Sequence, residues 1–312
     1  MSHPRSVAFL SASCMQPGAS NEREDSWEHE LEFMPLRAAC HRSGIELVTV
    51  LWDDPELDAE RIGSFDAFVI GTTWDYTSQA ETFLARLERI AALRPLLNPL
   101  PVLRWNLTKT YLVDLEREGA PIVPTLWRER ADASTISAAF DELGTDELVV
   151  KPEVGASAWR QARVRRGTTL PPAEELPPGR TMIQPFLPAA ASEGEYSFVY
   201  FEGAFSHCAR KIPAAGDYRV QSMFGAREEV HQPARDELEL TRRVLDAATR
   251  VTGHPLFQAR VDMLRGLDGE LALMELELIE PYLYPEQGPK LGEAFADALV
   301  RRLGPDRPPS KA

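Results

Sequence analysis

The segment 257–278, FQARVDMLRGLDGELALMELEL, constrains the fold more than any other, because it combines strand-like alternation with a turn signal. Asp268-Gly269 is a favoured two-residue hairpin loop. With those residues as the loop, Leu267 faces Glu270 and the register counts back evenly along both strands. The segment therefore predicts an antiparallel hairpin with a defined register.

The acidic side chains of this hairpin are predicted to share one face. The register sets Asp262 opposite Glu275, and Glu277 points the same way because side chains alternate along a strand. Like charges facing each other across two strands are destabilising, so these carboxylates predict a bound cation. Oxygen ligands alone favour a hard ion, Mg²⁺ or Mn²⁺, over zinc. Arg260 lies on the same face, where an arginine suits phosphoryl chemistry by spreading developing negative charge.

Three other interpretations of the hairpin stay open on alternation alone. Its polar face could simply be wet, since antiparallel sheets with one solvated side are common. Paired carboxylates also serve glycosidases, but there they normally come from separate elements that flank a sugar. A hydrolase that uses no nucleotide is the third alternative.

Composition excludes several classes of function. The chain has 312 residues, enough for two or three domains, and a formal net charge of −14, which argues against a nucleic-acid partner. No apolar run approaches the roughly 20 residues that span a bilayer, and the N-terminus is closer to a first strand than to a signal peptide. We therefore expect a cytoplasmic protein without a membrane partner. Cys14, Cys40 and Cys208 are expected to be reduced structural thiols, and the histidines lack zinc-site spacing.

The first hundred residues alternate between strand and helix patterns. Strands are predicted at 6–12, 45–52 and 66–74, with helices at 27–44 and 81–93. Strand–helix–strand–strand–helix with short connections indicates an open, mostly parallel α/β domain. No G-x-G-x-x-G follows the first strand, so a dinucleotide is not indicated.

The rest of the chain has mixed patterns. Residues 96–105, which contain two prolines, are expected to cross between domains. The other predicted elements are helices at 107–119 and 235–253, strands at 121–127, 146–155 and 181–187, a hairpin at 195–213 that turns at Glu202-Gly203, and a proline-rich loop at 166–179.

The motifs of the hairpin resemble a known family. A-R-V-D-M-L followed by M-E-L-E resembles the metal-binding end of ATP-grasp ligases, where R-x-D and then E-x-N hold two magnesium ions on the nucleotide. Upstream, W-N-L-T-K-T-Y-L and L-V-V-K-P match the two phosphate lysines of the family in order, at Lys109 and Lys151. Two point charges suit a triphosphate. The resemblance covers about residues 100 to 300.

The resemblance also implies a nucleotide site. I-Q-P-F-L (183–187) resembles the adenine hinge, so Gln184, Phe186 and Leu187 would contact ATP, with backbone groups reading the base edge and Phe186 against the ring. G-E-Y-S-F resembles the segment whose acid accepts the ribose hydroxyls, here Glu195.

The implied fold is ATP-grasp, with an N-terminal Rossmann-like α/β domain at residues 1–103. Two α+β subdomains would follow, at 104–187 and 188–312. Two features depart from the family. Glu277 replaces the usual asparagine, which would tighten metal binding or favour Mn²⁺ in place of Mg²⁺. The phosphate-covering loop at 152–159 has one glycine, which would make it stiffer or suit a different substrate.

Two further segments resemble a subgroup that contains an ATP-grasp cyclo-ligase of cycloserine biosynthesis. They are Trp74-Asp75-Tyr76 and Gly216-Asp217-Tyr218-Arg219. Arg219 would pair with a substrate carboxylate or an acyl phosphate, although an exposed loop arginine gives the same pattern.

The remaining substrate candidates lie near strand ends. Trp74, Asp75 and Tyr76 follow a strand at the edge where open α/β sheets bind ligands, and Asp75 could hold a substrate amino group. The alternative is a helix start capped by Thr77 or Ser78. Lys211 could reach a phosphate or could be a surface lysine.

The sequence thus predicts an ATP-dependent carboxylate–amine ligase or cyclo-ligase that acts on an amino-acid-derived small molecule and uses two Mg²⁺ ions. A regulatory ATP-binding protein of the same fold and a ligase that modifies peptide or protein tails are the alternatives. The sequence does not set the oligomeric state, for which a homodimer is the commonest case.

Overall fold

The computed structural model describes residues 5–154, 159–220 and 225–304. These residues form three sheets with helices packed on them. Within those ranges, no helix has both the length and the apolar character needed to cross a membrane. Part of the predicted phosphate-covering loop, 155–158, and part of the loop after Arg219, 221–224, lie outside the described residues.

The first sheet is the predicted parallel α/β unit, with strand order β2-β1-β3. Alternate residues of the central strand face opposite cores: Val7 and Phe9 meet one helix pair, and Ala8 and Leu10 meet the other. A short helix that the patterns did not predict interrupts the second connection. The elements are β1 (Arg5–Ser11), α1 (Trp27–Arg42), β2 (Ile45–Leu51), α2 (Ala59–Gly63), β3 (Ala67–Ile70) and α3 (Ala80–Leu93).

The predicted helix at 107–119 is wrong in extent, and residues 96–105, expected to cross between domains, contain a helix that the patterns did not predict. Two short helices occupy this region, α4 (Leu100–Asn106) and α5 (Tyr111–Arg117), and Lys109 lies in the turn between them. Pro101 starts the first helix rather than breaking it, because proline is tolerated in a first helical turn.

The second sheet is antiparallel, with strand order β4-β7-β5-β6, and packs on one helix, α6. Its fourth strand is short and precedes the proline-rich segment, which is why alternation did not reveal it. The elements are β4 (Leu126–Arg128), α6 (Ala133–Glu142), β5 (Glu147–Pro152), β6 (Ala162–Arg165) and β7 (Thr181–Pro185).

The third sheet has five strands in the order β10-β9-β8-β11-β12. Its first hairpin turns at Glu202-Gly203 as predicted, and both residues have positive φ, as this tight turn requires. The elements are α7 (Ala189–Ser192), β8 (Glu195–Phe201), β9 (Ala204–Ile212), β10 (Arg227–His231), α8 (Arg235–Thr252), β11 (Gln258–Arg265), β12 (Leu271–Glu277) and α9 (Leu291–Leu303).

The acidic hairpin pairs its carboxylates as predicted, but its loop length and its register differ from the prediction. The loop is one residue longer than expected, because Gly266 rather than Leu267 faces Glu270, with its N–H donating to the Glu270 carbonyl at 2.7 Å. A β-bulge between Asp262 and Met263 then shifts the register by one. The two shifts cancel, and Asp262 stands opposite Glu275 as predicted.

Candidate active site

A cleft of about 950 Å³, counted with its solvent-open part, lies between the four-stranded and the five-stranded sheets. It collects side chains that the sequence predicted as nucleotide contacts from separate parts of the chain. The predicted residues that line it are Lys109, Lys151, Gln184, Phe186, Leu187, Glu195, Arg219 and Glu275.

One end of the cleft is apolar and contains the hinge. Phe186 leaves β7 with its N–H donating to the Glu147 carbonyl at 2.8 Å, and its ring lies against the Arg163 guanidinium at 3.5 Å from the centroid. Gln184 donates through its side chain to Thr125 at 2.9 Å. Other apolar residues that line the cleft include Val123, Val149, Met182, Val220, Leu264 and Met274. A flat, largely apolar slot of this kind suits a purine ring.

Three cations also line the cleft, namely Lys109, Lys151 and Arg219. Lys109 Nζ lies 2.6 Å from Glu275 Oε1. Burial alone would lower the pKa of Lys109, but the Glu275 carboxylate outweighs it and the pKa is raised. For Lys151, burial prevails and lowers the pKa to about 8. Lys151 is therefore the lysine whose charge depends on pH near neutrality.

Two side chains fix Lys109 against the acidic hairpin. Asn106 donates to the Leu276 carbonyl at 2.8 Å and accepts from the Leu278 N–H at 2.9 Å. The Tyr111 hydroxyl accepts from the Leu276 N–H at 2.9 Å. Because β12 is the edge strand of its sheet, these side chains satisfy backbone groups that no neighbouring strand pairs. The W-N-L-T-K-T-Y-L segment thus binds the strand that carries the acids.

Asp262 is buried in a network of hydrogen bonds. Arg260 Nη2 lies 2.9 Å from its Oδ2, and the Ser197 hydroxyl donates to its Oδ1 at 2.5 Å. Burial opposes ionisation, but the charges of Arg260 and Lys211 outweigh it and lower the pKa of Asp262. The carboxylate is therefore ionised at neutral pH.

Arg260 lies between two of the predicted metal ligands, since its Nη2 is also 2.5 Å from Glu277 Oε1. Burial nevertheless raises the pKa of Glu277 to about 7, and the nearby Asp262 and Glu275 add to the rise. Burial and Glu277 likewise raise the pKa of Glu280 to about 8. This end of the site holds more negative charge than its own cations balance.

The β-bulge explains how apolar and acidic residues share one wall of the cleft. Before it, Ala272 and Met274 are the partly exposed residues of β12; after it, Glu275 and Glu277 take that position. An extra residue in one strand reverses which alternate side chains face outward. Met274 and Glu275 therefore both line the cleft although they are adjacent in sequence.

The carboxylates suit a hard cation but do not yet surround one. Among the described residues, no three acidic, histidine or cysteine side chains converge closely enough to hold a metal ion. Lys109 and Arg260 take the carboxylate oxygens instead. The donor set of Asp262, Glu275 and Glu277 is all oxygen, which fits the ligand preference of Mg²⁺ or Mn²⁺.

Glu195, the predicted ribose acceptor, is paired with a lysine side chain. Glu195 and Lys211 face each other across β8 and β9 and form a buried ion pair. Burial would lower the pKa of Lys211, but Asp262 and Glu195 outweigh it, so the lysine stays charged. The ammonium also lies 5.7 Å from the Tyr284 ring. Lys211 is thus a buried member of the site network and not a surface lysine.

Trp74, Asp75 and Tyr76 follow the carboxyl end of β3 as predicted. The three side chains contact different parts of the protein. Trp74 donates to the Glu280 carbonyl at 3.2 Å, and Asp75 accepts from Trp52 at 2.9 Å. Tyr76 is buried against Phe83 in the core of this domain. The capping alternative is wrong in detail, because Gln79 precedes α3 and makes no side-chain cap.

Sequence reasoning missed several residues of the site. Ser197 lies inside the G-E-Y-S-F motif and faces Asp262 in register, a position that the strand pairing could have revealed. Glu280 and the apolar residues Leu264 and Met274 carried no separate signal. The three cysteines are free and buried, as expected.

Comparisons with known proteins agree on one family. Residues 7–98 match the family model described as the N-terminal domain of D-cycloserine synthetase DcsG. The cycloserine biosynthesis protein DcsG of Streptomyces lavendulae is 31% identical over 301 residues, with 88% of this chain and 95% of that protein covered. Glutathione synthetase of Prochlorococcus marinus (strain MIT 9313) is 25% identical over 296 residues, covering 86% and 91%.

Solved structures extend the comparison. The crystal structure of D-cycloserine synthetase DcsG superposes with a TM-score of 0.81 at 27% identity, covering 96% of this chain and 100% of that one. D-alanine–D-alanine ligase from Bacillus anthracis complexed with ATP gives a TM-score of 0.65 at 17% identity, covering 96% and 97%. At that identity the second match speaks for the fold alone.

Proposed function

The chain belongs to the family of the cycloserine biosynthesis protein DcsG, within the ATP-grasp ligases, and from this we propose a specific reaction for it. The enzyme would use ATP to activate a carboxylate of an amino-acid-derived small molecule. An amine, or a nitrogen of the same molecule, would then close an amide or a ring with release of ADP and phosphate. Because one relative is a D-cycloserine synthetase, ring closure is the first reaction to test.

One observation carries the proposal: three cations and an apolar hinge line a single cleft to which the acidic hairpin contributes Leu264, Met274 and Glu275. Lys109 and Lys151 would neutralise the phosphates of ATP, with the purine beside Phe186. Asp262, Glu275 and Glu277 would hold two divalent ions, Mg²⁺ or Mn²⁺. Such ions would supply positive charge that offsets the negative charge of the phosphates.

The proposed reaction has two steps. A substrate carboxylate oxygen attacks the γ-phosphorus, the bond to the β–γ bridging oxygen breaks, and ADP leaves with the electron pair. The nitrogen nucleophile then attacks the acyl carbon, the carbon–oxygen bond to phosphate breaks, and the proton of the nitrogen passes to solvent. Arg260 and Arg219 would offset the charge of the transferring group. No side-chain nucleophile is needed.

The test is an ADP-release screen with Mg-ATP and a panel of amino acids and ureido-amino acids, with the products identified by mass spectrometry. We expect turnover with at least one member and a cyclic or linear condensation product. Asp262→Asn should lower turnover at least ~100-fold, because the buried network loses a charge that would hold the metal. The far-UV circular dichroism spectrum should stay the same.

Three outcomes would contradict the proposal. Normal turnover by Asp262→Asn would remove the metal assignment. A melting temperature that Mg-ATP leaves unchanged would instead favour a hydrolase that uses no nucleotide. ATP binding without turnover on any substrate would favour the regulatory alternative.

A further inference from the structure

Tyr218 and Arg219, which follow β9 of the five-stranded sheet, line the cleft together with the hinge residue Phe186. The Tyr218 ring meets the edge of the Phe186 ring at 5.6 Å between centroids and 89° between planes. Arg163, on β6, lies 3.5 Å from the Phe186 centroid and 6.0 Å from that of Tyr218. The aromatic pair with its stacked guanidinium therefore joins the two halves that enclose the cleft.

Asp217, the residue before Tyr218, holds this part of the loop through hydrogen bonds to its carboxylate. Asp217 Oδ1 accepts from the backbone N–H groups of Tyr218 at 2.7 Å and Arg219 at 3.0 Å. Its Oδ2 accepts from Arg219 Nη2 at 2.7 Å, and Arg219 Nε also lies within hydrogen-bond distance at 3.1 Å from Oδ1. Backbone and side chain of Arg219 are thus fixed by one acid.

From this arrangement we infer that Asp217 and Tyr218 are positioning residues that hold Arg219 over the phosphate end of the cleft. Tyr218 docks the loop on the hinge through Phe186, and Asp217 sets the direction of the guanidinium. The base site and the transferring phosphoryl group are thereby linked through consecutive residues of one loop. The inference rests on the proposed function in one respect, namely that Arg219 acts on the terminal phosphate of ATP.

Asp217 and Tyr218 have separate tasks: the first orders the Arg219 side chain, and the second fixes the loop on the hinge. Arg219 has a long, flexible side chain, and ordering such a side chain costs rotamer entropy. An ion pair with a neighbour that is itself fixed by backbone hydrogen bonds removes that freedom before ATP binds. The burial of Phe186, which is 6% exposed, keeps the docking point fixed as well.

The experiment compares binding of ADP and of a non-hydrolysable ATP analogue by calorimetry, in the presence of Mg²⁺. Wild-type protein should bind the analogue more tightly than ADP, because only the analogue presents a terminal phosphate to Arg219. Asp217→Asn keeps oxygen acceptors for the backbone but loses the ion pair. It should weaken analogue binding about tenfold, with ADP binding changed less than about twofold.

Tyr218 is tested with a conservative pair of variants. Tyr218→Ala should weaken both ligands by about five- to tenfold, because the hinge ring loses its support, and Tyr218→Phe should restore both. Asp54→Asn is the matched control. Asp54 also accepts from a backbone N–H, that of Glu56 at 2.8 Å, and pairs with Arg61 at 2.5 Å, but it lies outside the cleft. It should leave both affinities unchanged.

The two proposals can fail separately. An unchanged ratio of analogue to ADP affinity in Asp217→Asn, or equal binding by Tyr218→Ala and wild type, would overturn the positioning roles even if the enzyme turns over. Absence of turnover with every substrate would overturn the ligase reaction, whereas these binding ratios would still decide the roles of Asp217 and Tyr218. Where turnover is found, Asp217→Asn should raise KM for ATP in line with the loss of analogue affinity and should lower kcat/KM about tenfold or more.

Discussion

At the scale of single residues, burial shifts the pKa values of charged side chains in the site. Lys151 ends β5 at the phosphate end of the cleft, where burial lowers its pKa to about 8 in the absence of nucleotide. Glu277 shows the opposite case, because burial raises its pKa to about 7. A bound phosphate would raise the pKa of Lys151, and a bound cation would lower that of Glu277.

Lys151 predicts the pH dependence of ATP binding. Its ammonium form binds phosphate and is lost as pH rises through about 8, so the affinity for ATP should fall by up to tenfold per pH unit above that value. Calorimetry at pH 8.5 in buffers of different ionisation enthalpy should detect proton uptake. Lys151→Arg, whose charge does not titrate in this range, should abolish the uptake. Uptake that persists in this variant would assign the proton to another group.

Glu277 predicts how metal ions change stability with pH. Its pKa is raised above the ordinary value, so the native state holds more protons than the unfolded state between about 4.5 and 7. Its contribution to the free energy of unfolding therefore falls as pH rises through that window. Mg²⁺ should oppose the loss, so the melting temperature should rise with Mg²⁺ by on the order of 3 °C at pH 8 and less at pH 6.

Glu277→Gln is the control for that prediction. The neutral amide has no proton to lose, so the metal-free protein should lose less stability between pH 5 and pH 7 than wild type. It also lacks one negative charge, and the stabilisation by Mg²⁺ at pH 8 should shrink. An equal response to Mg²⁺ at both pH values in the wild-type protein would show that Glu277 does not bind the ion.

At the scale of elements, the decisive feature is the edge strand β12 and the side chains that hold it. Asn106 makes two hydrogen bonds to its backbone, on either side of Glu277. We expect Asn106→Ala to lower the free energy of unfolding by about 2–4 kcal/mol, since two buried backbone groups lose their partners. It should also lower kcat of the folded enzyme, because the strand that carries the acids is released.

Thr241→Val separates stability from function in that experiment. Thr241 is buried on α8 and forms a hydrogen bond with the Tyr200 hydroxyl at 2.5 Å, away from the cleft. Urea unfolding should show a loss of stability in both variants, whereas kcat should fall only in Asn106→Ala. A normal kcat in the Asn106 variant would mean that the strand keeps its place without the clamp.

The backbone geometry and packing of these elements limit what could be predicted from the sequence. Alternation placed Asp262 opposite Glu275 correctly, although the loop is one residue longer and a bulge restores the register. Both features depend on backbone geometry that period-two counting does not register. The ion pair between Lys109 and Glu275 joins residues 166 positions apart, so only tertiary packing could reveal it. Family resemblance named both residues without predicting their contact.

At the scale of the whole molecule, two of the three sheets share a core. One hydrophobic cluster contains Val7 and Phe9 of the first sheet, Phe201 of the five-stranded sheet and Phe295 of α9. The four-stranded sheet has a separate cluster with α6. The last helix thus completes the first domain from the far end of the chain, an arrangement that strand and helix patterns did not predict. The proposed division at residues 103 and 187 remains a prediction about folding units.

The junction of α1 and α9 predicts the cost of disturbing this arrangement. A Cβ atom at Gly292 would lie 2.3 Å from the Pro35 carbonyl oxygen, closer than real contacts allow, so the helices must separate. Gly292→Ala should therefore lower the free energy of unfolding by about 1–3 kcal/mol. Glu293→Ala, one residue on, removes only an exposed ion pair with Arg42 and should cost less than about 1 kcal/mol. Urea unfolding of both variants checks the pair, and equal stability would show that the last helix is not needed to close the first domain.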